Sequence, residues 1–253
     1  MRLQVRAPDP RLRGIATRYV DFAGRPGVAE ETAEVPGRTV TVMIDLDRGW
    51  TVEGEPLGSF VGGLYARPVR VAHPGSFRGV QLDLEPPALR RLFGLPAGEI
   101  ARATVGLEHL LGAEAARWEA RLHEAPTAAA RFAALDALLL RAAGRATPER
   151  PDLERAWALL RGSGGRIRVE ALAEQLGCSR RTLATRFAEE VGLGPKAAAR
   201  VIRVEAARRS LGRAPLARIA AEHGFADQAH LAREFRAITG RAPSALAPAP
   251  EPS

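Results

Sequence analysis

Two short stretches near the C-terminus hold side chains suited to the edges of nucleic-acid bases. The first has Ser179, Arg180, Arg181, Thr182, Thr185 and Arg186, and the second has Gln228, His230 and Arg233. Arginine can donate two parallel hydrogen bonds to guanine, glutamine can pair in the same bidentate way with adenine, and hydroxyls serve several acceptors. Arg181 and Arg233 are the residues expected to read bases. The other cations suit phosphate equally well, and phosphate contacts set register without specifying sequence. Ala184, Ala229 and Ala232 on the same faces are read as silent. A solvated helix face would also carry such charges, so the reading depends on the elements that present them.

Both stretches open the second helix of a repeated unit. Ala173 and Gly177 recur 47 residues later as Ala220 and Gly224, and Leu183, Phe187, Gly192 and Pro195 recur 48 residues later as Leu231, Phe235, Gly240 and Pro243. In the first copy Val169, Leu172, Ala173 and Leu176 form one helical stripe. Gly177 then supplies a left-handed stop, Ser179 can cap the next helix, and Leu183, Phe187 and Val191 face inward. The second copy has Leu216, Ile219, Ala220 and His223, then Gly224, then Asp227 as cap, with Leu231, Phe235 and Ile238 inward. These are the parts of a helix-turn-helix, whose first helix braces the second so that its outer N-terminal side chains can enter a major groove. Between the copies, residues 195 to 211 read as a helix with Val204, Ala207 and Leu211 inward and Arg200, Arg203, Arg208 and Arg209 outside. Such a spacer spans roughly 25 Å, enough to set two reading helices on successive groove segments.

Charge agrees with that placement. The net charge is +8, and from residue 151 onward there are 17 Lys and Arg against 11 Asp and Glu, compared with 20 against 18 before it. A basic second half on a nearly balanced first half points to a polyanion, with nucleic acid ahead of an anionic membrane surface. No run approaches the roughly 18 apolar residues of a membrane span, and MRLQVRAPDPRLRG lacks the apolar core of a signal peptide. A cytoplasmic protein without membrane contact is expected. The lone cysteine, Cys178, cannot form an internal disulfide or a four-cysteine zinc site, and it is read as a small turn residue.

The first half has a different grammar. Thr39 to Leu46 alternates, with Val40, Val42, Ile44 and Leu46 on one face, and Trp50 to Val52, Phe60 to Tyr65, Val69 to Ala72 and Val80 to Leu84 continue as short strand-type runs between Gly- and Pro-rich breaks. After Pro86 and Pro87 the period turns helical, through Leu89, Leu92 and Phe93, then Trp118 and Leu122, then Phe132, Leu135, Leu138, Leu139 and Ala142. The fold class is therefore α+β: a β-rich, barrel-like domain with following helices, then an all-α domain of two helix-turn-helix units joined by a linker helix. The expected boundaries are 1–145 for the first domain, 146–152 for a linker marked by Pro148 and Pro151, 153–246 for the second domain, and 247–253 for a disordered tail. Trp50, Phe60 and Tyr65 are read as core, and His109 and His123 as helix-surface residues. A catalytic metal site would need several imidazoles on the strands, and the strand region has only His73. Neither a metal nor a cofactor is expected, and no enzyme activity.

Residues 153 to 246 resemble the DNA-binding domain of AraC/XylS-type transcription regulators. The resemblance rests on LAEQLGCSRRTLATRF, GLGPKAAARVIRVEAARRSLG and IAAEHGFADQAHLAREFRAITGRAPSAL, within which Ile219, Ala220, Gly224, Phe225, Phe235, Gly240, Pro243 and Ser244 match the family signature. The usual ending is PSALYR, and here Ala247 and Pro248 replace its final aromatic and basic pair. The first 145 residues resemble, more weakly, a cupin-like N-terminal domain in one branch of the family, chiefly through FVGGLYARPVRVAHPGSFRGVQLDLEP. The resemblance implies an operator-binding regulator with double-stranded DNA as partner, and a small effector or partner protein acting on the N-terminal domain. RNA polymerase and a second copy of the chain are candidate partners. The alternatives are a cupin-type enzyme fused to a DNA-binding domain, and an architectural protein that binds DNA by charge alone.

Overall fold

A computed structural model describes residues 2–24, 30–47, 49–73, 75, 77–144 and 150–246. The described residues form ten strands, the last of them after the first α-helix: β1 (Arg2–Arg6), β2 (Ala16–Gly24), β3 (Glu30–Glu34), β4 (Val40–Asp45), β5 (Thr51–Val52), β6 (Glu55–Pro56), β7 (Phe60–Gly62), β8 (Val69–His73), β9 (Phe77–Leu84) and β10 (Thr104–Gly106). They form a six-stranded sheet in the order β1-β2-β9-β4-β7-β10 and a four-stranded sheet in the order β3-β8-β5-β6. The pairings are antiparallel, with Tyr19 opposite Leu82 and Val42 opposite Leu82 from the other side.

Because side chains alternate along a strand, the large sheet buries both faces. One face presents Tyr19, Val40, Val42, Ile44, Val80, Leu82 and Leu84 to helices. The opposite face presents Val20, Phe22, Met43 and Phe60 to Val52, Val69 and Val71 of the small sheet, with Trp50 between them. Trp50 and Phe60 are thus core, Tyr65 packs against the same cluster, and the alternation of residues 40 to 46 places Val40, Val42, Ile44 and Leu46 in one core as expected.

The helices that cover the large sheet are α1 (Ala88–Phe93), α2 (Leu107–Leu111), α3 (Glu114–Glu124) and α4 (Ala128–Ala143), with a 3-10 turn at Ala97–Ile100. They bring Leu89, Trp118, Leu122, Phe132, Leu135 and Leu139 onto the sheet. Asp21 in the middle of β2 is buried, and Arg131 of α4 donates to it at 2.5 Å. His109 and His123 are exposed.

The second half contains α5 (Pro151–Gly162), α6 (Val169–Gln175), α7 (Arg180–Val191), α8 (Pro195–Arg208), α9 (Leu216–Glu222), α10 (Gln228–Thr239) and α11 (Pro243–Leu246). A single apolar core runs through them, from Trp157 and Leu160 through Leu172, Leu183 and Phe187 to Val201, Val204, Ile219, Leu231, Phe235 and Ile238. α5 begins inside the stretch read as a linker, where Pro at the first helical position suits a helix start. Residues 145–149, and the expected tail 247–253, lie outside the described residues.

The two halves are joined by more than the chain. Leu64, just after β7, is buried in the C-terminal core. Glu85, just after β9, is 2% exposed and accepts from Trp157 Nε1 at 2.5 Å and from the Arg161 guanidinium. Arg38 donates to Glu205 of α8 through its backbone N–H at 3.0 Å and its guanidinium at 2.9 Å.

Candidate nucleic-acid interface

The local devices expected in both repeats are present. α6 ends at Gly177 with φ of +62°, and the Ser179 hydroxyl accepts from the Thr182 backbone N–H at 3.1 Å to cap α7. α9 ends at Gly224 with φ of +74°, and the Asp227 carboxylate accepts from the His230 backbone N–H at 2.6 Å to cap α10. A positive φ favours glycine because a Cβ would crowd the backbone. Each cap satisfies one N–H that the first turn of a helix leaves unpaired. Leu183, Phe187 and Val191 on α7, and Leu231, Phe235 and Ile238 on α10, are all buried, so each helix is held by its inner stripe and turns its other side to solvent.

On that outer side Arg181 and Thr185 of α7, and Gln228 and Arg233 of α10, are exposed. Neither Arg181 nor Arg233 has a carboxylate partner among the described residues, so both guanidinium groups are available to a base edge or a phosphate. Arg180 pairs with Glu170 of α6 at 3.0 Å, both side chains being mostly solvated. An exposed pair of this kind is weak in water, and a phosphate can displace it. Its carboxylate is held below the ordinary value by the backbone N–H at the start of α6 and then by Arg180.

Other expected site residues are partly engaged by the protein. Ser179 and Thr182 share a hydroxyl hydrogen bond at 2.8 Å beside the cap. Arg186 donates to Asp152 of α5 at 2.5 Å and is only half exposed. The His230 ring accepts the Ala226 backbone N–H through Nδ1 at 3.1 Å and packs edge-on to Phe225 at 5.6 Å, so one imidazole nitrogen closes the turn. Two arginines of α8 expected outside are also occupied. Arg200 donates to Glu234 of α10 at 2.6 Å, and Arg203 lies over the Phe225 ring at 5.7 Å with its Nε buried. The physical reason is that α8 packs between the two units, where a long side chain reaches a neighbour before it reaches solvent. Arg208 and Arg209 do face outward. Cys178 sits in the turn between α6 and α7, against the C-terminal core.

Sequence reasoning missed Glu190. This carboxylate lies on the inner side of α7, next to Val191 and one turn after Phe187, and is 2% exposed. Arg90 of α1 grips it from Nε at 3.0 and 2.9 Å and from Nη2 at 2.8 Å. The guanidinium is held above its ordinary range chiefly by those hydrogen bonds to Glu190. A charge on an otherwise apolar stripe was the available signal, because a buried carboxylate requires a partner.

With two capped, outward-facing helices braced on one core, the C-terminal half is built as a pair of helix-turn-helix units. Residues 172–248 match the family model of a helix-turn-helix domain. This region accordingly carries a helix-turn-helix domain. Over nearly its whole length the chain has the fold of ToxT from Vibrio cholerae. With one ToxT structure the TM-score is 0.50 at 10% identity, covering 97% of each chain. With ToxT bound to (E)-4-(8-methylnaphthalen-1-yl)but-3-enoic acid it is 0.50 at 11% identity, covering 97% of this chain and 98% of that one. A transcriptional regulator with an AraC-type DNA-binding domain from Chromobacterium violaceum aligns at 22% identity and a TM-score of 0.35, covering 38% of this chain and 88% of its own. No curated protein matches the sequence. Among the described residues, no helix is long and apolar enough to cross a membrane.

Proposed function

We propose that this chain is a transcription regulator that reads an operator with α7 and α10 and is controlled by a small effector through its N-terminal domain. The observation that carries the reading is the pair of exposed arginines without a carboxylate partner among the described residues, Arg181 in the first turn of the capped helix α7 and Arg233 in the second turn of the capped helix α10. Base readout needs a cation that is free to donate two hydrogen bonds from a fixed position, and the shared core fixes both helices. Ser179, Arg180, Thr182, Thr185, Arg186, Gln228 and His230 complete the proposed contact surface, mostly to phosphate. RNA polymerase and a second copy of the chain are the further partners in this reading, and a cytoplasmic location follows from DNA as the ligand.

For the effector, the bound ToxT structure supports a small amphipathic acid. A shallow cleft between α1, α3 and α4, lined by Leu92, Phe93, Trp118 and Leu138 together with the exposed Arg141, has an internal volume of about 30 Å³. That is room for about one water, well below a small-molecule site, so an effector there would have to part the helices. The space between the two sheets is filled by the rings of Phe22, Trp50 and Phe77 around His73. A ligand there would have to displace them. An enzyme reading is less favoured because His73 has aromatic rings, and no second imidazole, beside it among the described residues.

The test is operator selection from genomic fragments, followed by titration of selected and scrambled duplexes at one salt concentration. A sequence-specific regulator is expected to prefer the selected duplex by about a thousandfold or more. Equal affinities would leave only an architectural, charge-driven binder.

A further inference from the structure

The geometry points to Gly98 and Arg90, both in the N-terminal half, as residues that position the first reading helix α7 and leave the second, α10, untouched. The inference rests on α7 being a DNA-reading helix, as proposed above. At the far end of α7 from its readers, the 3-10 turn meets the helix backbone to backbone. A Cβ on Gly98 would lie 2.1 Å from the Glu189 carbonyl oxygen and 2.8 Å from its carbon, so nothing larger than hydrogen fits between them. On the other side of the same turn, a Cβ on Gly192 would meet the Ala97 oxygen at 3.1 Å. Arg90 then holds the buried Glu190 carboxylate by both oxygens. Contact at Gly98 sets how deep the helix sits, and a two-point guanidinium grip sets its rotation.

The same turn is locked to the β-domain in the same way. A Cβ on Gly63, which follows β7, would lie 1.9 Å from the Ile100 oxygen, and the Gly63 N–H donates to Ala103 at 3.0 Å. β7 carries Phe60, part of the cluster between the two sheets. From the sheet interior to α7, the contacts therefore pass through backbone at Gly63 and Gly98, without a side chain that could rotate to absorb a shift. Closely packed elements of this kind transmit displacement rather than damping it. Arg181 lies nine residues before Glu190, about 13 Å along a rigid helix, so a change in seating at one end is delivered to the reader at the other.

The second reader has no such tether. Its C-terminal stop Gly240 approaches only Pro68, and among the described residues no hydrogen bond or ion pair runs from the N-terminal half to residues 210–246. The N-terminal half thus bears directly on the first reader and reaches the second only through packing and through α8.

The experiment uses the full chain and an operator whose two half-sites are scrambled one at a time. The half-site belonging to α7 is the one whose scrambling no longer matters in Arg181→Ala. Gly98→Ala is expected to lower operator affinity at least about fivefold, the lower end of losing one bidentate base contact. The loss should persist when the α10 half-site is scrambled and vanish when the α7 half-site is. Arg90→Met should behave alike, and Arg90→Lys should recover part of the affinity. If Gly98→Ala does not fold, as judged by its thermal midpoint, the Arg90 pair of variants carries the test. Losses spread evenly over both half-sites, or no loss in a folded variant, would overturn the positioning role. A wild-type chain indifferent to scrambling at either half-site would overturn the DNA-reading assignment itself, and this inference with it.

Discussion

The two helix-turn-helix units are close copies in sequence and have different surroundings. Both have a left-handed glycine stop, a side-chain cap and a buried Leu-Phe pair, at Leu183 and Phe187 in one and Leu231 and Phe235 in the other. Beyond those parts they diverge. The first unit is anchored to the N-terminal domain by Gly98 and by the buried pair of Arg90 with Glu190. The second leans on α8, through Arg200 with Glu234 and Arg203 over Phe225. A repeat preserves what each unit needs in order to fold, and lets the outer contacts be assigned separately. One copy can then be placed under control while the other supplies constant binding.

If the shared parts are equivalent, then removing them should cost the same in each copy. Phe187 and Phe235 are both fully buried, and Phe187→Ala and Phe235→Ala should each destabilise the chain by about 3–5 kcal/mol, the usual cost of emptying such a site. Urea denaturation of the two variants checks this. A difference of more than about 2 kcal/mol between them would mean that the two sites differ in how far their surroundings can close over the cavity.

Function should split more gently. Arg181→Ala and Arg233→Ala are each expected to weaken the selected operator by about 1–3 kcal/mol and scrambled DNA by less. Titration of both duplexes at fixed salt decides the matter. Equal losses on the two duplexes would move these arginines from base to phosphate contact. A loss at Arg233 alone would show that only the untethered unit reads sequence in the absence of effector.

How much of this was legible follows from how local each signal is. Gly177, Ser179, Gly224 and Asp227 act on backbone within a few residues of themselves, so spacing alone located the turns and caps. The inner stripes were legible for the same reason, as was the alternation from Val40 to Ile44. Strand β2 was not singled out, because Asp21 interrupts its pattern and makes sense only once Arg131 arrives from α4. Arg186, Arg200 and Arg203 read as outward charges, and only the packing of α5, α8 and α10 shows what they touch. Gly98 and Glu85 gave no sequence signal of their own, since their roles exist only where the second half docks onto the first.

The caps should reveal a smaller symmetry. Ser179→Ala and Asp227→Ala each leave one N–H of a first turn without its partner, at an expected cost of about 1 kcal/mol apiece. Thermal or urea midpoints measure it. A much larger loss at Ser179 would indicate that its hydroxyl contact with Thr182, which has no counterpart at Asp227, contributes to the start of α7.

The smallest expected effect separates the copies by pH. His223 occupies the place that Leu176 holds in the first unit. Its ring nitrogen lies 2.9 Å from the Ser210 hydroxyl, and burial pushes its pKa below the ordinary value, with Arg166 adding to the shift and Glu222 opposing it. A base whose folded pKa is depressed binds its proton less readily in the native state than in the unfolded chain. The unfolded chain therefore takes up protons first as pH falls below about 6.5, and stability drops from there down to the folded pKa, below which the penalty is constant. Above about 6.5 the group is neutral in both states and its stability is fully present. The slope cannot exceed about 1.4 kcal/mol per pH unit for one proton. His223→Leu, which restores the side chain of the first copy, should remove this part of the acid sensitivity, while His109→Leu on an exposed helix face should leave it in place. Urea midpoints of the three proteins between pH 5 and 7.5 make the comparison. An unchanged slope in His223→Leu would show that the second unit carries no titratable weakness of its own and that the two copies differ only in what they touch.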